Sequence, residues 1–159
     1  MGRIIGIDPG LQKTGWGIIE ASGSSLRFVD CGLIKPNPKS EMAERLQFLS
    51  EELTQVLTQY EPKTAAIEDT FVNQNPTTSL KLGMARGALM LTLAQYGLDV
   101  SEYAPNKIKK SVVGQGHAAK DQMGMMVKVL LPSCGSPSED EADALAIAIT
   151  HAHYRGSPK

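Results

Sequence analysis

A chain of 159 residues, 42% of them hydrophobic, is long enough to bury one full core and too apolar for disorder. A formal charge of −1 excludes a protein that coats nucleic acid over its whole surface. Cys31 and Cys134 lie far apart without CxxC spacing, which excludes a cysteine zinc site or a disulfide framework and predicts two buried thiols.

Arg3 to Ile7 is a short apolar run stopped by Asp8-Pro9-Gly10, and Trp16 to Glu20 resumes an extended pattern, so two neighbouring strands are expected. Leu26 to Ile34 reads as a third. From Glu41 to Tyr60, Leu46, Leu49, Leu53, Val56, Leu57 and Tyr60 recur at three- and four-residue steps, the pattern of an amphipathic helix that covers one sheet face. Thr64 to Glu68 is a short buried strand ending in an acid, followed by a polar loop over Phe71 to Asn75.

Pro76 to Tyr96 reads as a second helix, with Leu89, Met90, Leu91 and Leu93 leaving its later half apolar nearly all round. Such a helix needs two surfaces to bury against, the sheet and the same helix of a second subunit. Gly83 and Gly87, one turn apart, permit a close approach there. Val100 to Tyr103 is a fifth strand, Pro105 to Val113 and Ala119 to Leu131 are helices hinged at Gly114 and Gly116, and Ser138 with Glu141 forms a capping box ahead of a last helix. Strands followed by alternating helices and strands predict a mixed α/β sheet. One domain is expected over residues 1–156, with a short tail at 157–159. Met1 to Asp8 is too short for a signal peptide, and apolar windows such as Leu80 to Leu93 are broken by Lys or Arg, so a soluble cytoplasmic protein is expected.

Charge is unevenly spread. From Lys81 to Lys128 the chain carries a net +4 and the remainder −5, which fits one phosphate-facing side or simply a solvated face. The acids are more telling. Asp140 and Asp143 stand three apart at a helix start and so share a face, although acids are favoured in a first turn on dipole grounds alone. Asp8 and Glu68 each end a strand, and neighbouring strands would project both from one sheet edge. Four carboxylates within about 4 Å would repel by about 4 kcal/mol per pair at an effective dielectric near 20. Such a cluster requires cations, and an all-oxygen shell suits magnesium or manganese. Two such ions promote in-line attack of water on a phosphodiester. His151 and His153, two apart on a helix, do not face the same way and are not read as ligands.

Ordered blocks of residues carry a resemblance. They are Gly6-Ile7-Asp8-Pro9-Gly10 with Thr14-Gly15, Ile67-Glu68, Phe71, Ser79-Leu80-Lys81-Leu82-Gly83 with Ala85-Arg86-Gly87, Val112-Val113-Gly114 with Lys120, and Ala142-Asp143-Ala144-Leu145-Ala146-Ile147-Ala148. Over nearly its whole length the chain resembles the RuvC family of Holliday junction resolvases. The resemblance implies a ribonuclease H-like α/β fold with a five-stranded mixed sheet flanked by helices, and a homodimer that nicks two like-polarity strands of a four-way DNA junction during recombination and repair. It implies Asp8, Glu68, Asp140 and Asp143 as catalytic metal ligands for two Mg2+ ions per site, with Mn2+ a substitute. Lys120 and Lys109 fall where the family has lysines beside the scissile phosphate, Lys120 being also a catalytic candidate. Phe71 falls at its junction-facing aromatic. Lys81 and Arg86 match helix positions for DNA phosphates or dimer contacts, which the sequence does not separate. RuvA and RuvB branch-migration proteins are the implied partners. Asp69 would point to the opposite face from Glu68 and is not read as a ligand.

Two other readings are carried. A strand followed by Asp-x-Gly and a later Thr-Gly also resembles the phosphate loop of actin-like ATPases, but those need two such domains and leave Asp140 and Asp143 without a task. A junction-binding module on the same fold without catalysis is the other, and four intact carboxylates weigh against it.

Overall fold

Alternation along five strands decides which side chains reach which layer. The structure is a computed structural model that describes residues 2–69, 75–114 and 120–155, Lys120 by its backbone alone. In chain order it holds β1 (Arg3–Asp8), β2 (Thr14–Ser22), β3 (Ser25–Ile34), α1 (Met42–Tyr60), β4 (Thr64–Glu68), α2 (Pro76–Gln95), β5 (Val100–Tyr103), α3 (Pro105–Val113), α4 (Lys120–Leu130), a 3-10 turn at Pro132–Cys134, and α5 (Glu139–Arg155).

The five strands form one sheet in the order β3-β2-β1-β4-β5. β1, β2 and β3 are an antiparallel meander, whereas β4 and β5 join β1 in parallel through the helical crossovers. The expected strand at Trp16 to Glu20 is longer at both ends, because it is paired along its length with β1 on one side and β3 on the other.

Each face has its own core. Ile5, Ile7, Trp16, Ile18 and Ile67 pack against Leu49, Leu53 and Leu57 of α1 and Ala85, Leu89 and Leu93 of α2. Ile4, Ile19, Ala66 and Tyr103 pack on the opposite face against α3, α4 and α5. With a period of two, the second set carries Gly6 and Asp8 of β1 and Glu68 of β4 to the α5 side. The apolar later half of α2 is split. Leu89 and Leu93 are fully buried against the sheet, while Leu91 is 58% exposed.

α5 is the most buried helix, continuous from Ala144 to His151. It lies directly on β1 and β2 because the sheet beneath it lacks side chains. A Cβ at Gly6 would stand 2.2 Å from the Ala144 carbonyl oxygen, and one at Gly15 2.3 Å from that of Asp140. At its far end His151 places Nδ1 2.8 Å from the Tyr103 hydroxyl and Nε2 3.1 Å from Thr64 Oγ1, tying the helix to β5 and β4. His153 meets Ser111 of α3 instead, so the two histidines face different partners.

Candidate active site

Asp8 and Glu68 end adjacent parallel strands, with Ile7 opposite Ile67 in register. Both emerge at the carboxyl edge of the sheet on the side of α5. The helix brings Asp140 and Asp143 to the same edge. One ligand oxygen each from Asp8, Asp140 and Asp143 lies within 4.8 Å of the others. Glu68 joins them through a hydrogen bond with Asp8. Local sequence could place each acid at the end of its own element, but only the seating of α5 on Gly6 and Gly15 makes them converge.

The charge is concentrated enough to alter the chemistry. Burial, then the charges of Glu68, Asp143 and Asp140, push the Asp8 carboxyl up from 3.8 to about 8. Burial and three neighbouring acids together keep the Asp8 carboxyl protonated near neutral pH, a strain that a bound cation would relieve. The donor set is entirely carboxylate oxygen, which fits a hard divalent cation such as magnesium or manganese and not zinc.

The start of α5 is held by local hydrogen bonds. The Ser138 amide donates to Glu141 Oε1 at 2.9 Å, and the Glu141 amide donates to Ser138 Oγ at 3.3 Å, the expected capping box. Cys31 of β3 adds a third contact, its thiol donating to Glu141 Oε2 at 3.3 Å. Burial alone would raise the Glu141 carboxyl, yet hydrogen bonds from Ser138 and Cys31 hold it below its ordinary value. Burial and the hydrogen bond to Glu141 push the Cys31 thiol to about 12. Cys31 is therefore half-buried and serves as a donor, whereas Cys134 is buried in the core as expected.

The remaining expected residues are placed as follows. Arg86 of α2 donates from Nε to the Glu68 carbonyl at 3.1 Å and pairs with Glu102 and Asp69. Its side chain is only 17% exposed, so the guanidinium braces the end of β4. Asp69 lies 3.8 Å from that arginine. Lys81 is exposed on α2, and Lys109 is half-buried on α3. Lys120 opens α4, the helix that packs on α5, and Phe71 lies outside the described residues.

One contact had no signal in the sequence. Lys13 Nζ lies 3.1 Å from Asp140 Oδ2. Its place in the turn after Asp8 gave no reason to join it to a residue 127 positions on.

Comparison with known proteins settles the family. A family model described as crossover junction endodeoxyribonuclease RuvC matches residues 4–151. The chain belongs to the RuvC family. It is 57% identical over 154 residues to the crossover junction endodeoxyribonuclease RuvC of Azorhizobium caulinodans, covering 97% of this chain and 91% of the relative. To that of Bradyrhizobium diazoefficiens it is 56% identical over 155 residues, covering 98% and 89%. Among solved structures, T. thermophilus RuvC in complex with a Holliday junction substrate superposes with a TM-score of 0.91 at 32% identity, covering 98% of this chain and 95% of that one. The fold is therefore ribonuclease H-like, and this RuvC-family chain is a crossover junction endodeoxyribonuclease. An actin-like ATPase reading does not survive that membership.

Proposed function

We propose that the chain acts as a homodimer that binds a four-way DNA junction and hydrolyses one phosphodiester in each of two strands of like polarity. The observation that supports this most directly is the convergence of Asp140 and Asp143 on Asp8 at the sheet edge, joined by Glu68. Asp8, Glu68, Asp140 and Asp143 hold two Mg2+ ions per site, with Mn2+ able to replace them. When bound, the ions neutralise the four acids, lower the pKa of the attacking water and stabilise the leaving oxygen.

The protein's own side chains orient and balance charge. Lys120 stabilises charge developing on the scissile phosphate, and Lys109 and Lys81 hold neighbouring phosphates. Phe71 stacks on an unpaired base at the crossover, a contact worth about 1–3 kcal/mol. Arg86, matched by family position to DNA or dimer contacts, acts here by bracing the strand end that carries Glu68.

The dimer is proposed through α2. Leu80, Met84 and Leu91 are 63%, 41% and 58% exposed and share one helical stripe with Gly87. A Cβ at Gly83 or Gly87 would meet open space, so a second helix can approach closely there. Two protomers present two sites for paired nicks. Among the described residues no helix is long and apolar enough to cross a membrane. A single-domain cytoplasmic enzyme working with RuvA and RuvB completes the proposal.

The test is a mobile four-way junction beside a linear duplex of the same sequence, in magnesium and in EDTA, with Asp8→Asn in parallel. Paired nicks only in the junction, only with metal and absent from the variant are expected. Equal cleavage of the duplex would remove the junction assignment, and binding without cleavage would favour a non-catalytic module.

A further inference from the structure

The turn that follows Asp8 is built to carry a cation into the carboxylate cluster. Thr14 Oγ1 accepts from the Gly10 amide at 3.4 Å, and Arg45 Nη2 of α1 donates to the Leu11 carbonyl at 2.6 Å, so the turn is pinned from within and from outside. A Cβ at Gly10 would lie 2.1 Å from the Lys13 carbonyl oxygen, so the turn closes tightly on itself. Two residues beyond Lys13, Gly15 lets the Asp140 backbone rest on β2. These contacts bring Lys13 Nζ to 3.1 Å from Asp140 Oδ2. The Lys13 side chain is 53% exposed and that of Asp140 27%, so the ammonium reaches in from solvent and has room to leave.

We propose that Lys13 is a displaceable counter-ion of the metal-binding carboxylates, which orients Asp140 in the metal-free protein and competes with the divalent cation for it. Lys13 is thus a positioning residue that sets how much cation the nuclease needs. The inference rests on the metal reading of the cluster given above. An ammonium and a divalent cation cannot both sit at hydrogen-bonding distance on one carboxylate oxygen without repelling each other, so each binds at the other's expense. Partial exposure keeps the competition modest.

The test is calorimetric titration of the purified full chain with Mn2+ at low ionic strength, together with its melting temperature in EDTA. Lys13→Gln is expected to tighten Mn2+ binding about two- to fivefold, a size set by what a part-exposed ion pair contributes. Lys13→Arg should bind as the parent does. Lys63→Gln removes the same charge beside β4's other end, where its amide meets the Arg3 carbonyl, and should leave the affinity unchanged. In EDTA, Lys13→Gln should lower the melting temperature of the parent but not that of the Asp140→Asn protein. Unchanged or weaker Mn2+ binding by Lys13→Gln overturns the proposal, as does an equal gain from Lys63→Gln. Absence of Mn2+ binding by the parent would overturn the metal reading itself, and the inference with it.

Discussion

Replacing Asp8 by Asn removes a carboxyl that the folded cluster keeps protonated and the unfolded chain ionises, so the metal-free protein should become more stable although its activity is lost. The Asp8 carboxyl titrates near 3.8 in the unfolded chain and near 8 in the folded one. Between those values the native state holds a proton that the unfolded state has released, so Asp8's contribution is fully present at low pH and is lost as the pH rises towards 8. At about 1.36 kcal/mol per unit, the roughly three units up to neutral pH cost on the order of 4 kcal/mol. An asparagine amide carries no charge and can still donate to Glu68. Because Glu68, Asp140 and Asp143 continue to repel one another, the expected gain at neutral pH is about 2–4 kcal/mol, or about 5–12 °C in melting temperature for a chain of this size. Urea and thermal unfolding in EDTA, followed by circular dichroism between about pH 5 and about pH 8, measure it. The parent should lose stability across that range and the variant should change much less. Millimolar Mg2+ should reverse the ranking, since the cation binds the parent's folded state more tightly. A parent whose metal-free stability is flat with pH, or a variant no more stable than it, would refute the reasoning.

Gly15→Ala sets a Cβ 2.3 Å from the Asp140 carbonyl oxygen and must lift the first turn of α5. A loss of about 1–3 kcal/mol in urea unfolding and at least about tenfold in junction cleavage is expected, with junction binding in a gel-shift assay retained. Ser138→Ala deletes the hydroxyl that caps the Glu141 amide and should cost about 1 kcal/mol, read as a fall of about 2–4 °C in melting temperature. Leu91→Glu places a charge in the exposed stripe of α2 without touching the core. Sedimentation velocity should show monomer, and a supercoiled cruciform plasmid should give single nicks in place of paired cuts.

Much of the architecture was legible because its causes are local. A period of two marks the strands, three- and four-residue steps mark α1, and Ser138 with Glu141 marks the start of α5 within a single turn. The same locality put Asp8 and Glu68 at strand ends and Asp140 with Asp143 on one helical face. The role of Cys31 was not legible, since its partner Glu141 lies 110 residues away on another layer. Nor was Arg86's occupation by Glu102, Asp69 and the Glu68 carbonyl, which a helical position alone cannot distinguish from a phosphate contact.

By itself, the sequence determined which residues are acids at element ends and which segments become strands and helices, because those depend on near neighbours in the chain. Only the tertiary structure decided that the acids form one site. That depends on the depth at which α5 settles onto the bare backbone of Gly6 and Gly15, and on the Asp8 turn reaching across to Asp140 with Lys13. Both are contacts through space between segments more than a hundred residues apart, and chain periodicity carries no record of them.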